Sequence, residues 1–130
     1  MHMSYTVQKL ATIAGVSVRT LHYYDHIGLL KSSRIEKNGY RYYGESEVLK
    51  LQQILFFKEL DFPLAEIKRI LSSPSFDMRT ALRDQKKLIE LKKNRLSKLV
   101  KTIDKTIKKI NKEITMDDKE LYGNFSKEQM

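Results

Sequence analysis

Val7, Leu10, Ala11 and Ala14 recur at i, i+3, i+4 and i+7, the spacing that places apolar side chains on one face of a helix. Thr6 precedes this stripe as an N-cap, and Gly15 follows it as a stop. Ser17 then caps a second stripe, Val18, Leu21 and Tyr24, with Ile27 beyond it and Gly28 closing it. Two short helices joined by Ala14-Gly15-Val16-Ser17 have the form of a helix-turn-helix, because glycine at the joint lets the chain turn sharply.

The periodicity next switches from helical to alternating. Asn38-Gly39 sits inside Arg34 to Tyr43 and predicts a hairpin with a two-residue type I′ turn. In that register Glu36 faces Arg41 and Ile35 faces Tyr42. A third helix is expected from about 45 to 60, with Val48, Leu51, Ile54 and Leu55 inward, broken by Asp61-Phe62-Pro63. Leu64, Ile67, Ile70 and Leu71 outline a fourth, ended by Ser72-Ser73-Pro74.

Beyond Asp77 the repeat lengthens. Leu82, Ile89, Leu96, Ile103 and Ile110 fall every seventh residue. The positions four residues on are Lys86, Lys93, Val100, Ile107 and Ile114, so both lines of the seam are apolar only in its second half. This predicts a heptad helix from about 77 to 114, roughly 57 Å long at 1.5 Å per residue. Alone it would leave its stripe wet, so a second copy of the chain is expected against Leu82, Ile89, Leu96, Val100, Ile103, Ile107 and Ile110. Lys86 and Lys93 would face themselves in a parallel pair, which favours antiparallel pairing.

The expected architecture is therefore mainly α. A winged helix-turn-helix spans 1–75 with the hairpin as its wing, a dimerisation helix forming an antiparallel coiled coil spans 76–114, and 115–130 is a linker or the start of a further domain. Ser126-Lys127-Glu128-Gln129 reads as the opening of another helix, and Met1-His2-Met3 as a doubled start with the natural one at Met3.

Charge sharpens this picture. The 130 residues carry 25 Lys and Arg against 16 Asp and Glu. Between 79 and 114 the count is 13 basic to 4 acidic, the largest local excess in the chain. Most of that excess reads as the solvated outer face of a dimer helix, with direct contact to nucleic acid as the alternative. Absence of cysteine excludes disulfides, thiolate metal sites and iron–sulfur clusters. His22 and His26 share a helix face at i, i+4 but lack a third ligand, so neither a metal nor a cofactor is expected. No signal peptide or membrane-length apolar run is present, which places the chain in the cytoplasm by expectation. No triad, P-loop or carboxylate pair suggests an enzyme.

On the second helix Arg19, Thr20 and Tyr23 lie opposite the core stripe, with His22 at its margin. Long outward donors in this pattern suit a helix lying in a DNA major groove, where arginine pairs bidentately with guanine. The hairpin carries Arg34, Lys37, Tyr40, Arg41, Tyr42 and Tyr43, a set suited to phosphates. Its alternative is a hairpin whose tyrosines cover the core, and at least one of the three is expected to do so.

Val16-Ser17-Val18-Arg19-Thr20-Leu21-His22-Tyr23-Tyr24-Asp25, Ile27-Gly28-Leu29-Leu30 and Gly39-Tyr40-Arg41-Tyr42-Tyr43 together strongly resemble the MerR family of bacterial transcription regulators. The resemblance continues through Leu51 to Glu59 and Leu64 to Lys68 up to the long helix, and is nearest to the TipA/Mta branch of drug- or thiopeptide-responsive activators. It implies recognition-helix contacts at Ser17, Arg19, Thr20, His22 and Tyr23. A first wing is implied at Tyr40, Arg41 and Tyr42, and a second at Lys58, Pro63 and Leu64. Asp61 stands where the family usually has glycine, and Gly44 where it usually has a serine cap. The implied partners are double-stranded promoter DNA, a second copy of the chain and RNA polymerase, with a small-molecule inducer acting only through a missing C-terminal domain. The implied action is activation by bending and untwisting an over-long promoter spacer. A repressor or architectural DNA-bending protein of the same fold, or a coiled-coil adaptor, are the competing readings.

Overall fold

The computed structural model describes residues 4–125. Ser126 to Gln129, read above as a further helix, lie outside the described residues, as does the doubled start. In chain order the elements are β1 (Tyr5–Thr6), α1 (Val7–Ala14), α2 (Val18–His26), β2 (Arg34–Ile35), β3 (Arg41–Tyr43), α3 (Glu45–Glu59), α4 (Leu64–Ser72), α5 (Met78–Ile110) and α6 (Asp118–Tyr122). Two compact units result, Met1–Gln85 and Lys86–Met130.

In the first unit both expected caps form. Thr6 accepts a hydrogen bond from the Lys9 backbone N–H at 3.2 Å, and Ser17 accepts one from Thr20 at 2.9 Å. Gly15 ends α1 at φ 72°, in the left-handed region that turns the chain from α1 into α2. Leu10, Ala11, Leu21, Tyr24, Leu51, Ile54 and Ile67 are buried as their spacing predicts, with Leu29, Leu30, Tyr43 and Phe57 completing the core.

A two-residue strand, β1, goes unannounced by periodicity. It lies along β3, Tyr5 opposite Tyr43 and Thr6 opposite Tyr42, giving an antiparallel sheet in the order β1-β3-β2.

The hairpin register differs from the expectation by one residue. Arg34 pairs with Tyr42 and Ile35 with Arg41. The loop has three residues: Glu36 N–H donates to the Tyr40 carbonyl at 2.8 Å, and Gly39 N–H to the Glu36 carbonyl at 2.9 Å. Only Gly39 takes a positive φ, 86°, whereas a type I′ turn would need Asn38 to do so as well. Asn38 instead turns its side-chain oxygen to accept from the Tyr40 N–H at 3.1 Å. Since side chains alternate along a strand, the slip gives Arg41 and Tyr42 different partners from those expected.

The end of α3 is a Schellman motif. Asp61 N–H donates to the Lys58 carbonyl at 2.9 Å and Phe62 N–H to the Phe57 carbonyl at 3.1 Å, with the Phe57 and Phe62 rings 5.1 Å apart. Asp61 holds the left-handed position at φ 63°. At the start of α3, Gly44 has no side chain to cap with, and its own N–H donates to Glu47 Oε1 at 2.8 Å. α5 opens on Asp77, whose carboxylate accepts from both the backbone N–H and the hydroxyl of Thr80; these bonds hold its pKa below the ordinary value.

In the second unit α5 stops at Ile110, short of the expected Ile114. Lys112 enters the left-handed region at φ 61°, and Glu113 N–H closes onto the Lys108 carbonyl at 2.9 Å. The stretch expected as a linker or the start of a further domain folds back on α5 as far as it is described. α6 is capped by Asp117, Met116 is buried, and Asn124 donates to the Thr102 hydroxyl at 2.8 Å. This covers the Thr102 face and leaves the second half of the heptad seam bare: Leu96, Val100, Ile103, Ile107 and Ile110 are all exposed.

Candidate nucleic-acid interface

Leu21 and Tyr24 anchor α2 in the core, so helical geometry turns Arg19, His22 and Tyr23 outward. Tyr23 is 52% exposed, while neighbouring Tyr24 is 3% exposed, the two ring centres 6.5 Å apart. Ser17 does double duty: its hydroxyl caps α2 and lies 2.8 Å from the Thr20 hydroxyl, fixing both side chains at the amino end of the helix.

Beside this end lies an open cavity of about 310 Å³. It is lined by Ser17, the N-cap of α2, by Arg19, Thr20, Tyr23 and Tyr24 of α2, by Lys58 of α3 and by Leu64 of α4. Six of the sequence-derived positions thus meet around one concavity, two of them cationic. Cations and hydroxyl donors gathered around one concavity are chemically suited to phosphate oxygens. Pro63 caps α4 and is exposed but does not line the cavity, and neither does exposed His22.

The hairpin carries the other candidate residues. Tyr40 is 60% exposed near its tip. Arg34 lies 3.4 Å from Glu36, and its guanidinium stacks 4.6 Å from the centre of the Tyr42 ring. Of the three tyrosines, Tyr43 is the structural one, fully buried. Burial raises its phenol pKa above the ordinary value; the charge of Asp25 adds to the rise and that of Arg41 opposes it.

Arg41 reaches inward as well as outward. Its Nε lies 3.1 Å from Asp25 Oδ2 on α2, yet 39% of its side chain remains exposed. Sequence reading did not single out Asp25 for the interface. Its signal was faint: a carboxylate beside outward-facing donors on a helix suggested to face a polyanion.

Among the described residues no three His, Cys, Asp or Glu side chains converge as a metal site, and no helix is long and apolar enough to cross a membrane.

The chain is 45% identical over 125 residues to the HTH-type transcriptional regulator SkgA of Caulobacter vibrioides, covering 96% of this chain and 49% of that one. It is 44% identical over 124 residues to the HTH-type transcriptional activator mta of Bacillus subtilis, covering 95% and 48%. The chain therefore spans about half the length of these curated relatives. The crystal structure of SkgA from Caulobacter crescentus superposes with a TM-score of 0.86 at 44% identity, over 98% of this chain and 91% of that one. HiNmlR, a MerR family regulator lacking the sensor domain and solved bound to promoter DNA, gives 0.66 at 25% identity, over 85% and 92%. Residues 5–74 match the MerR HTH family regulatory protein domain, which holds both the cavity and the hairpin. The chain belongs to the MerR family of helix-turn-helix regulatory proteins.

Proposed function

We propose that this chain is the DNA-binding and dimerisation part of a transcription regulator that acts on promoter DNA as a homodimer. The observation that carries this reading is the concavity where Arg19 and Lys58 flank the capped amino end of α2. In this reading α2 enters the major groove. Arg19, Thr20, His22 and Tyr23 meet base edges or phosphates, Ser17 holds the helix end, and the hairpin lies along the backbone with Tyr40, Arg41 and Tyr42. Lys58, Pro63 and Leu64 form the second backbone contact. The DNA-bound structure of a relative named as lacking its sensor domain supports binding by this portion alone. The exposed seam of α5 supports the dimer, since an apolar stripe of that length is seldom left in water.

We further propose activation, in keeping with the names transcriptional activator carried by mta and TipA. Two surfaces held apart by paired helices grip the outer half-sites and distort the DNA between them. Each surplus spacer base pair displaces the promoter elements by about 3.4 Å and rotates them by roughly 34 to 36°. Bending and untwisting that corrects this costs of order 1–6 kcal/mol, offset by backbone contacts. RNA polymerase then engages the realigned elements in the cytoplasm, and inducer sensing belongs to the part of the relatives that this chain does not match. The test is in-vitro transcription from promoters of graded spacer length. Stimulation confined to long spacers is expected; uniform repression would instead identify a repressor, and duplex bending without any transcriptional effect an architectural protein.

A further inference from the structure

Asp25 presents an electrostatic puzzle. A carboxylate on the helix proposed to face DNA opposes binding of a polyanion, yet this one is only 14% exposed and is aimed at the hairpin rather than at solvent. Its Oδ2 and the Arg41 Nε are both buried and 3.1 Å apart, and among the described residues neither is aligned as a hydrogen bond with any group. Because Nε is buried while 39% of the Arg41 side chain is exposed, that exposure lies in the other atoms of the side chain. A guanidinium has five donors on three nitrogens, so engaging it through Nε leaves the terminal nitrogens free to serve another anion.

Lever length matters here. Arg41 belongs to a three-residue strand, β3, next to the short loop that ends at Gly39. An unrestrained arginine there would sample many rotamers and lose that freedom on binding, whereas one fastened to α2 has already lost it. The same contact ties the hairpin to α2, so the two parts of the interface are linked through one charge pair.

We propose that Asp25 is a positioning residue for DNA binding: by holding the Arg41 Nε, it aims the rest of that guanidinium at a phosphate beside the groove occupied by α2. The proposal rests on the reading of α2 and the hairpin as a DNA-binding surface. Its consequence runs against simple charge counting. Removing a negative charge should tighten DNA binding if Asp25 acts only through the overall field, but should weaken it if Asp25 positions Arg41.

The experiment measures the affinity of the full chain across a salt series, for the duplex most enriched when the wild-type protein selects from a random pool. Thermal melts monitor folding throughout. Asp25→Asn is expected to bind about tenfold more weakly and to lower the salt slope by about 1, the signature of one lost phosphate contact. Asp25→Glu should recover part of the loss, and Asp25→Asn added to Arg41→Ala should cause no further loss. Arg41→Lys retains the charge but lacks Nε, so it too should show the reduced slope, and this variant carries the test should Asp25→Asn fail to fold. Equal or tighter binding by Asp25→Asn, additivity of the two changes, or a wild-type slope in Arg41→Lys would overturn the proposal. A wild-type chain without salt-dependent duplex binding would instead remove the DNA-binding reading beneath it.

Discussion

Gln85 on α5 donates from Nε2 to Oε1 of Gln53 on α3 at 3.0 Å, and both side chains are almost wholly buried, at 2% and 1% exposure. Two amides facing each other in an apolar setting satisfy one another only as a pair. Gln53 Nε2 and Gln85 Oε1 have no hydrogen-bond partner among the described residues. Replacing Gln85 alone with leucine strands the Gln53 amide and is expected to cost about 1–3 kcal/mol. Replacing both with leucine should restore most of that, because no unpaired polar group is then left buried. Urea unfolding of the two single variants and the double variant checks this, and additive losses would count against it.

Arg19 and the seam lysines separate specific recognition from bulk charge. Arg19→Ala is expected to weaken duplex binding by about 1–3 kcal/mol and to relax sequence preference. A double Lys86→Ala, Lys93→Ala change should have little direct effect, despite lying in the most basic stretch of the chain. Selection of bound sequences by each variant reads both quantities, and a larger loss from the lysines would favour a basic-helix adaptor.

Ile103 and Ile107 are 58% and 51% exposed on the bare face of α5. Changing both to glutamate leaves the core of the first unit untouched but puts charge into the proposed seam. Sedimentation at micromolar concentration should find a dimer for the wild type and a monomer for the variant, with helical content and melting of the first unit retained. A wild-type monomer would remove the dimer from the proposal.

Asp61 occupies a left-handed position that costs most L-residues about 1–2 kcal/mol, and aspartate less because its short polar side chain can bond locally. Asp61→Ala should therefore destabilise by about 1 kcal/mol, while Asp61→Gly should be near neutral or slightly stabilising. Thermal denaturation of the three forms orders them, and equal stability of the alanine form would contradict the strain.

Much of this molecule was legible one residue at a time. Helix caps at Thr6 and Ser17, the left-handed stop at Gly15, the break at Asp61-Phe62-Pro63 and the core faces of α1 to α4 all depend on neighbours within a few positions. Local backbone geometry and helical period therefore suffice to place them. The candidate recognition residues of α2 were readable for the same reason: once Leu21 and Tyr24 are inside, Arg19 and Tyr23 have only the outside left.

Other features depend on residues distant in sequence. Asn38-Gly39 is compatible with a two- or a three-residue loop; the longer one forms, with β3 also paired to β1, and Arg41 meets Asp25 instead of Glu36. The burial of Gln53 needs Gln85, 32 residues away, and the burial of Thr102 accompanies the fold-back that brings in Asn124. Periodicity reports which face is apolar but not which distant polar group will meet a buried amide or guanidinium. That is settled by long-range packing, where an unpaired polar group costs enough to select its partner.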